Sequence, residues 1–509
     1  MPVARMLKND AGFRGAVFAL GFLLAWLPLA LFPPHLPAVD ELFQFLEAGH
    51  RLAFGYGMVP WEFDYGARSW ALGYAASLPL ALAGLFGGGP GVYLPLAWAL
   101  FSLPAAGAVL CAGLWGARAF GRAGGLATAL IAASWIDNLA FGGRVLSETV
   151  SAHLLIIAVY LAEPGYRVES RNRLMLAGFL AALAVFLRMQ LGPAALLLWL
   201  WSWRDGRRIL LLSAGALAAL LLDGAFDALT VAYPFQPLWV NFRFNVLLDG
   251  AASAFAAAPW WYYFGEFWNQ WGFTAVPFVA LTLLGGRRQP LLLAMTGVIL
   301  AVHLVIPHKE YRFLLPAVMM AAILCGLGAV ETAQWLGNAL ARRRGRAAGV
   351  AAMALAGLGW TGLTIANAAA LGEVWHNPSS FLEMALDLSR LPAVCGIGFG
   401  NLVAYGQGGY TFLHRPVPIY YSLGAEQQDF IRLQPAYNAF VTRKDDMPFF
   451  ESFHAFDAYR LDHCNDEVCL FIRPGACAAM PAQRPPIGTL SAETANDRRY
   501  PYAVGIGRK

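Results

Sequence analysis

Six short clusters of arginine and lysine, and the apolar runs between them, set what this chain can fold into. The clusters are Arg5, Lys8 and Arg14; Arg118 and Arg122; Arg167, Arg171 and Arg173; Arg204, Arg207 and Arg208; Arg287 and Arg288; and Arg342, Arg343, Arg344 and Arg346. Together they hold 17 of the 36 basic residues. Between successive clusters lie two apolar runs, each near the length that crosses a hydrocarbon core of about 30 Å. The runs are near 16–32, 91–115, 124–140, 146–162, 174–188, 190–203, 209–228, 272–285, 290–306, 313–335 and 347–371. Basic residues concentrate in short cytoplasmic loops, so the pattern predicts about 11 spans with the N-terminus and all six clusters inside. The first run has the flanks of a signal peptide, but Pro33-Pro34-His35-Leu36-Pro37 is a poor cleavage region, which predicts an uncleaved first span. With 58% hydrophobic residues and 13% charged, against about 25% charged in soluble domains, the chain has too little polar surface for a soluble globule. Cytosolic enzymes, secreted disulfide scaffolds, nucleic-acid modules and disordered proteins are all disfavoured.

The expected fold is an all-α polytopic membrane domain over residues 1–371, followed by an α/β domain over 372–509. Three outward segments are long: 33–90, 229–271 and the tail from 372. The apolar run 70–86 breaks the alternation and is assigned to a re-entrant or interfacial segment. The tail loses the apolar density and carries loop chemistry such as Tyr405-Gly-Gln-Gly-Gly409. Its cysteines are Cys395, Cys464, Cys469 and Cys477. An outward location permits disulfides. Cys464 and Cys469 resemble a loop staple, because no second pair with zinc spacing exists. The remaining pairing is open.

Ionisable residues near a membrane mark candidate sites. Asp40 opens a segment in which Leu42, Phe45, Leu46, Gly49 and Leu52 repeat at helical spacing, with Glu41, Gln44, Glu47 and Arg51 on the other side. This predicts an amphipathic helix on the outer membrane surface. Asp40 is either its N-cap or a general base held at the surface. Trp61, Glu62, Arg68 and Trp70 follow; aromatics mixed with acids suit a sugar and equally suit an interfacial belt. A second cluster, Pro307-His308-Lys309-Glu310-Tyr311-Arg312, is expected at a helix N-terminus, with Pro307 in the first turn and the cations on one face. It would hold a phosphate at headgroup depth, and Arg188 is an outward cation that joins this set. A third holds Asn241 and Asn245 with Pro259-Trp260-Trp261-Tyr262-Tyr263 downstream. Arg144 and Glu148 are expected to be structural.

An outward base and an outward phosphate site point to a lipid-phosphate sugar donor. The base would deprotonate an acceptor hydroxyl, and the cations would stabilise the departing phosphate. Lys, Arg and His can do that work, so neither a metal nor another cofactor is expected.

At these residues the sequence resembles the α-mannosyltransferases of glycosyltransferase family 22, which have the GT-C membrane fold and include the lipid-linked enzymes of GPI-anchor and N-glycan assembly. The resemblance rests on four stretches. Asp40-Glu41-x-Phe43-Gln44 continues through Glu47-Ala48-x-His50-Arg51-Leu52 to Trp61-Glu62 and Arg68-Ser69-Trp70. The others are His308-Lys309-Glu310-x-Arg312-Phe313, Asn241-Phe242-x-Phe244-Asn245 with Pro259-Trp260, and Gly409-Tyr410-x-Phe412-x-His414-Arg415. By that resemblance, Asp40 is the catalytic base with Glu41 assisting. The same resemblance has His308, Lys309 and Arg312 hold the donor phosphate; Arg188 is a further phosphate candidate, and Trp61, Glu62, Arg68, Asn241 and Trp260 are candidates for sugar or acceptor. The resemblance implies a dolichyl- or polyprenyl-phosphate mannose donor, a hydroxyl of a glycan or glycolipid as acceptor, and inversion on the extracytoplasmic face. Three features depart from the family pattern: Ala38-Val39 replaces the usual His-Pro, the middle loop lacks a His, and Tyr311 stands where a Glu or Arg is common. High Ala, Gly and Arg usage suggests a bacterial member of the inner membrane. No nucleic-acid partner is expected. The rival readings are a lipid-linked saccharide flippase and a non-catalytic scaffold.

Overall fold

The computed structural model describes residues 11–31, 35–163, 170–376, 379–400, 408–422 and 431–479. Arg5, Lys8, Arg167 and Tyr405 to Gln407 lie outside the described residues. Each of the eleven apolar runs is mostly helical over its described residues. Ala11–Leu31, Pro90–Ser134, Gly206–Thr230, Tyr311–Arg344 and Ala347–Ala366 are long and apolar enough to cross a membrane, and Ala71–Gly84, Ser147–Ala162, Met189–Trp201 and Pro290–Val305 are shorter apolar helices. The chain is thus a mostly helical, multi-pass membrane protein. Ala71–Gly84, the run outside the alternation, has 14 residues. At 1.5 Å per residue it reaches about 21 Å, short of the hydrocarbon thickness.

Two predicted boundaries move. Runs 91–115 and 124–140 belong to one helical segment, Pro90–Ser134, that changes direction at Gly121 (φ 78°, ψ 178°), a backbone conformation glycine adopts readily. The second run also ends early: Trp135 is extended and Ile136–Phe141 forms a separate short helix.

One compact unit comprises residues 1–31 and 98–373. At its centre lies Leu315–Arg344, packed against Ala275–Gly286, Pro290–Val305 and Ser147–Ala162. Glycines set the closest approaches. A Cβ at Gly285 would strike the Leu324 carbonyl, and one at Gly328 would strike that of Leu281. The same reciprocal device joins Arg171–Leu187 to Gly206–Thr230, with Gly178 against the Leu212 carbonyl and Gly215 against that of Met175. Apolar helices in lipid associate by such backbone proximity rather than by a hydrophobic force. An aromatic core of Trp135, Trp271 and Phe278 packs on Val318, Ala322 and Cys325.

A second unit comprises residues 32–97 and 374–509. Here the expected surface helix is corrected. Glu41–Leu46 is a π-helical turn, Glu47–Phe54 is an α-helix, and residues 41 to 50 are all buried. The side that periodicity assigns to water meets other partners, Glu62 at Gln44 and Met58 and Thr411 at Glu47, and the small Ala48 and Gly49 admit a neighbouring helix onto Glu47–Phe54. Gly49 rests on Ala76 and Gly73 on Ala48, so Ala71–Gly84 packs directly against it. The tail forms the expected α/β structure. Its strands are β1 (Ile397–Gly400), β2 (Ile419–Ser422), β3 (Ala439–Arg443), β4 (Arg460–Cys464) and β5 (Val468–Ile472), in the order β2-β1-β3-β5-β4. β1 is parallel to β2 and β3, and β5 is antiparallel to β3 and β4. Tyr437, Phe440, Phe450 and Phe471 fill its core. The four tail cysteines pair as Cys395–Cys477 and Cys464–Cys469. The second bond joins β4 to β5, as a loop staple does.

Gly178→Leu is expected to destabilise the first unit by about 1–3 kcal/mol or more through overpacking. Gly297→Ala, where nothing lies within 4 Å, is expected to be neutral. Thermal unfolding of the detergent-purified chain, followed by tryptophan fluorescence, checks both.

Candidate active site

In the second unit, Asp40 stands at the entrance to the π-turn with helical backbone angles (φ −66°, ψ −24°) and makes no capping hydrogen bond. Glu41 is fully buried behind it. Gln44 reaches forward and donates to Glu62 Oε1 at 2.9 Å. Burial, then the charge of Asp40, raise the Glu62 carboxyl to about 7 against the pull of Arg68 and of the Gln44 hydrogen bond. The fold therefore gathers Asp40, Gln44, Glu62 and Arg68 into one electrostatic neighbourhood. The Arg68 guanidinium lies 5.9 Å from the Phe45 ring centre, and Trp61 packs edge-on against Tyr65.

Glu47, expected on the water-facing side of the helix, and His50 prove to be the fastening of this segment. Glu47 has no exposed surface. Its Oε1 accepts from the N–H and hydroxyl of Thr411, both at 2.5 Å, and its Oε2 accepts from Met58 N–H at 3.1 Å. Burial raises its pKa against those bonds. His50 Nε2 meets His414 Nδ1 at 3.2 Å while its Nδ1 faces the Tyr56 carbonyl at 3.1 Å. Burial lowers His50 to about 4. A neutral imidazole pair is the arrangement that burial favours.

In the first unit, the motif at 307–312 is built differently from the expectation. Pro307 lies in the loop after Pro290–Val305, Tyr311–Leu314 is a 3-10 turn, and the α-helix begins at Leu315 with Pro316 in its first turn. His308 and Arg312 therefore do not share a helical face. The Lys309 ammonium, expected to face a phosphate, donates to the carbonyls of His303 (3.2 Å), Leu304 (3.1 Å) and Ile306. It caps the C-terminus of Pro290–Val305, where orphan carbonyls and the helix dipole favour a cation.

His308 and Arg312 are joined instead by Glu310. Arg312 donates from Nε to Glu310 Oε2 at 2.7 Å and from Nη2 to Oε1 at 3.0 Å, and His308 Nε2 lies 3.1 Å from Oε1. Burial alone would raise the Glu310 carboxyl, but the His308 hydrogen bond and the Arg312 charge hold it at about 2. Burial opposes the His308 cation, and the Glu310 and Ala256 hydrogen bonds outweigh it, so His308 is raised. Behind Arg312 stands Glu148. Its Oε1 takes Arg312 Nη1 and Arg188 Nη1, each at 2.9 Å, and its Oε2 accepts from the Ser147 hydroxyl at 2.9 Å. The Phe313 ring lies under both guanidiniums, 4.7 Å from Arg188 and 5.0 Å from Arg312. Arg188 reaches this position because the Arg171–Leu187 helix ends there in an extended residue.

A second carboxylate fixes the motif from the other side. Asp137 accepts from Trp135 Nε1 (3.0 Å), Trp271 Nε1 (2.9 Å) and the Tyr311 hydroxyl (2.6 Å). The middle loop is tied in as well: Ala258 N–H donates to the Pro307 carbonyl at 3.0 Å, and His308 Nδ1 sits 3.0 Å from the Ala256 carbonyl. The two candidates from that loop have other engagements. Asn241 accepts from Asn245 at 3.1 Å, and Trp260, 61% exposed, packs on Trp261 and Phe264.

Residues 17–385, which include Asp40, Glu62, Glu148 and the 308–312 motif, match the Alg9-like mannosyltransferase family. The chain belongs to that family. GPI mannosyltransferase 3 of Yarrowia lipolytica is 27% identical over 410 residues, covering 75% of this chain and 72% of the relative. GPI mannosyltransferase 3 of Drosophila melanogaster is 30% identical over 295 residues, covering 54% of this chain and 50% of the relative, so the match spans about half of that protein. The crystal structure of ArnT from Cupriavidus metallidurans bound to undecaprenyl phosphate has a TM-score of 0.63 at 13% identity, covering 93% of this chain and 100% of that one. The fold of this Alg9-like chain is therefore the GT-C type expected from the sequence.

Glu148, Glu310 and Asp137 carry this arrangement, and the sequence reading gave none of them a site role. The available signal was an acid within or at the edge of an apolar run, which is costly unless paired. Glu148→Ala leaves two guanidiniums beside an empty buried position and is expected to destabilise the family member by about 3–5 kcal/mol. Glu331→Gln removes only the exposed Arg288 pair and is expected to cost at most about 1 kcal/mol. Unfolding of both variants in parallel tests the difference.

Proposed function

We propose that this chain is an integral membrane mannosyltransferase that moves a mannosyl residue from a polyprenyl- or dolichyl-phosphate donor to a hydroxyl of a glycan or glycolipid acceptor. The observation that carries the reading is the cation set of the first unit: Arg188, Arg312 and His308 held around two carboxylates, within the residues 17–385 that match the Alg9-like mannosyltransferase family. Guanidinium forks suit a phosphate oxygen pair. Asp40 supplies the base. It takes the proton of the acceptor hydroxyl, the acceptor oxygen attacks the anomeric carbon, and the bond from that carbon to the lipid phosphate breaks. A single displacement inverts the anomeric centre. The lipid phosphate leaves with one more negative charge than it had as a diester, and Arg312, His308 and Arg188 stabilise that charge as it develops. Glu41 and Arg68 shape the charge around Asp40, and Glu62, Trp61, Asn241 and Trp260 are the proposed contacts to sugar and acceptor. Lys309 serves this scheme by fixing the loop that carries His308 and Glu310.

The reading places the N-terminus in the cytoplasm, and the base, the cations and the C-terminal domain on the extracytoplasmic side of the plasma membrane. The positive flanks of the spans support that orientation.

The test is a reconstitution. Wild-type chain in liposomes, given a radiolabelled polyprenyl-phosphate mannose and an extract of envelope glycolipids, is expected to transfer label. Asp40→Asn is expected to lose at least about 100-fold of the rate while its melting temperature stays within a degree or two. Label that crosses the bilayer without transfer identifies a flippase instead, and normal turnover by Asp40→Asn removes the base assignment.

A further inference from the structure

The two carboxylates of the cation cluster differ in the property that decides whether an anion can exchange. Glu148 has no exposed side-chain surface and is held by Arg188, Arg312 and Ser147. The Glu310 side chain is 39% exposed. Its two oxygens take up the Nε and Nη2 edge of Arg312 and the Nε2 of His308. A carboxylate seated two-pronged on a guanidinium occupies the same planar fork that a phosphate would take. Glu310 thus sits where a phosphate bound by His308 and Arg312 has to arrive.

We propose that Glu310 is a resident anion on the phosphate seat, which holds His308 and Arg312 in place between turnovers, yields them to the lipid phosphate, and reclaims them when the spent lipid phosphate departs. This rests on the reading of the cluster as a phosphate site. Charge supports it. With Glu310 seated, three cations face two carboxylates. With Glu310 displaced, this set loses one of its two carboxylates, and its cations gain the charge to balance an incoming phosphate. The backbone supports it as well. Glu310 is extended (φ −134°, ψ 145°) and precedes the helix, so its side chain can swing out without moving Leu315–Arg344. Because its carboxyl is held at about 2, the competitor is an anion at every working pH. Its partial exposure keeps the net strength of its pairing modest, which is what exchange requires. Glu310 is in this account a positioning residue that governs loading and release.

The experiment compares equilibrium binding of a short-chain polyprenyl monophosphate to the purified full chain with donor KM and kcat, for wild type, Glu310→Gln and Glu310→Asp. Removing the competing charge is expected to tighten lipid-phosphate binding at least about threefold, to lower the donor KM by a similar factor, and to slow kcat through retarded release. Glu310→Asp keeps the charge and is expected to bind like wild type. Glu310→Gln binding with equal or weaker affinity than wild type overturns the proposal, because a residue that only orients the cations loses affinity when its charge goes. Melting temperatures taken alongside detect a misfolded variant, for which Glu310→Ser replaces Glu310→Gln with the same expectation. Wild type that shows no saturable lipid-phosphate binding defeats the phosphate reading itself, and the exchange falls with it.

Discussion

A single buried carboxylate carries the organisation of the first unit. Glu148 has no exposed surface, and its two oxygens are divided among Arg188, Arg312 and the Ser147 hydroxyl. Removing two guanidiniums and a carboxylate from water is unfavourable, and their mutual attraction repays it only when the geometry is nearly complete. Such a group is weak evidence of stability and strong evidence of placement. It fixes the end of Arg171–Leu187 and the turn before Leu315–Arg344 with respect to Ser147–Ala162. Once Arg312 is anchored at its back by Glu148, its other edge is free of rotational choice and presents a fixed fork to Glu310. Phe313 beneath both guanidiniums completes the restraint. Asp137 repeats the principle at Tyr311, and Lys309 does so at the carbonyls that end Pro290–Val305.

The second unit follows the same logic with a different partner set. Glu47 is buried and satisfied by Thr411 and Met58, which ties the segment after Asp40 to the tail helix Gly409–Leu413. The tie needs close approach: a Cβ at Gly409 would meet Glu47 Oε1 at 2.5 Å, and its φ of 53° lies in the left-handed region, where glycine is at home. A first loop and a C-terminal tail more than three hundred residues apart thereby become one folded body. Glu62, which meets the charges of Asp40 and Arg68 and the amide of Gln44, belongs to the same unit.

The sequence shows the spanning helices plainly, because hydrocarbon thickness and arginine placement leave few alternatives. It also singles out Asp40 and the 308–312 motif, since ionisable residues at a membrane edge are costly without a purpose. The polar interior is harder to read. Glu41, Gln44 and Glu47 fall on the hydrophilic side of a helical wheel, and distant partners turn that side from water to interior: Glu62 at Gln44, and Met58 and Thr411 at Glu47. Likewise, spacing places His308 and Arg312 on one helical face, whereas Lys309 capping the preceding helix delays the start of the next and hands their alignment to Glu310. Long-range partners decide both cases, and periodicity within a segment carries no information about them. The kink at Gly121 is of the same kind, since glycine within an apolar run permits a bend without requiring one.

The proposed role of the arginines anchored by Glu148 is to serve a lipid phosphate. The most direct measurement is the dissociation constant of a polyprenyl monophosphate for the purified chain and for Arg312→Gln, with folding verified by the melting temperature. The account expects saturable binding by wild type and at least about tenfold weaker binding by the folded variant, in line with truncation of one partner of a charge-assisted pair. Equal affinities in the two proteins would contradict it.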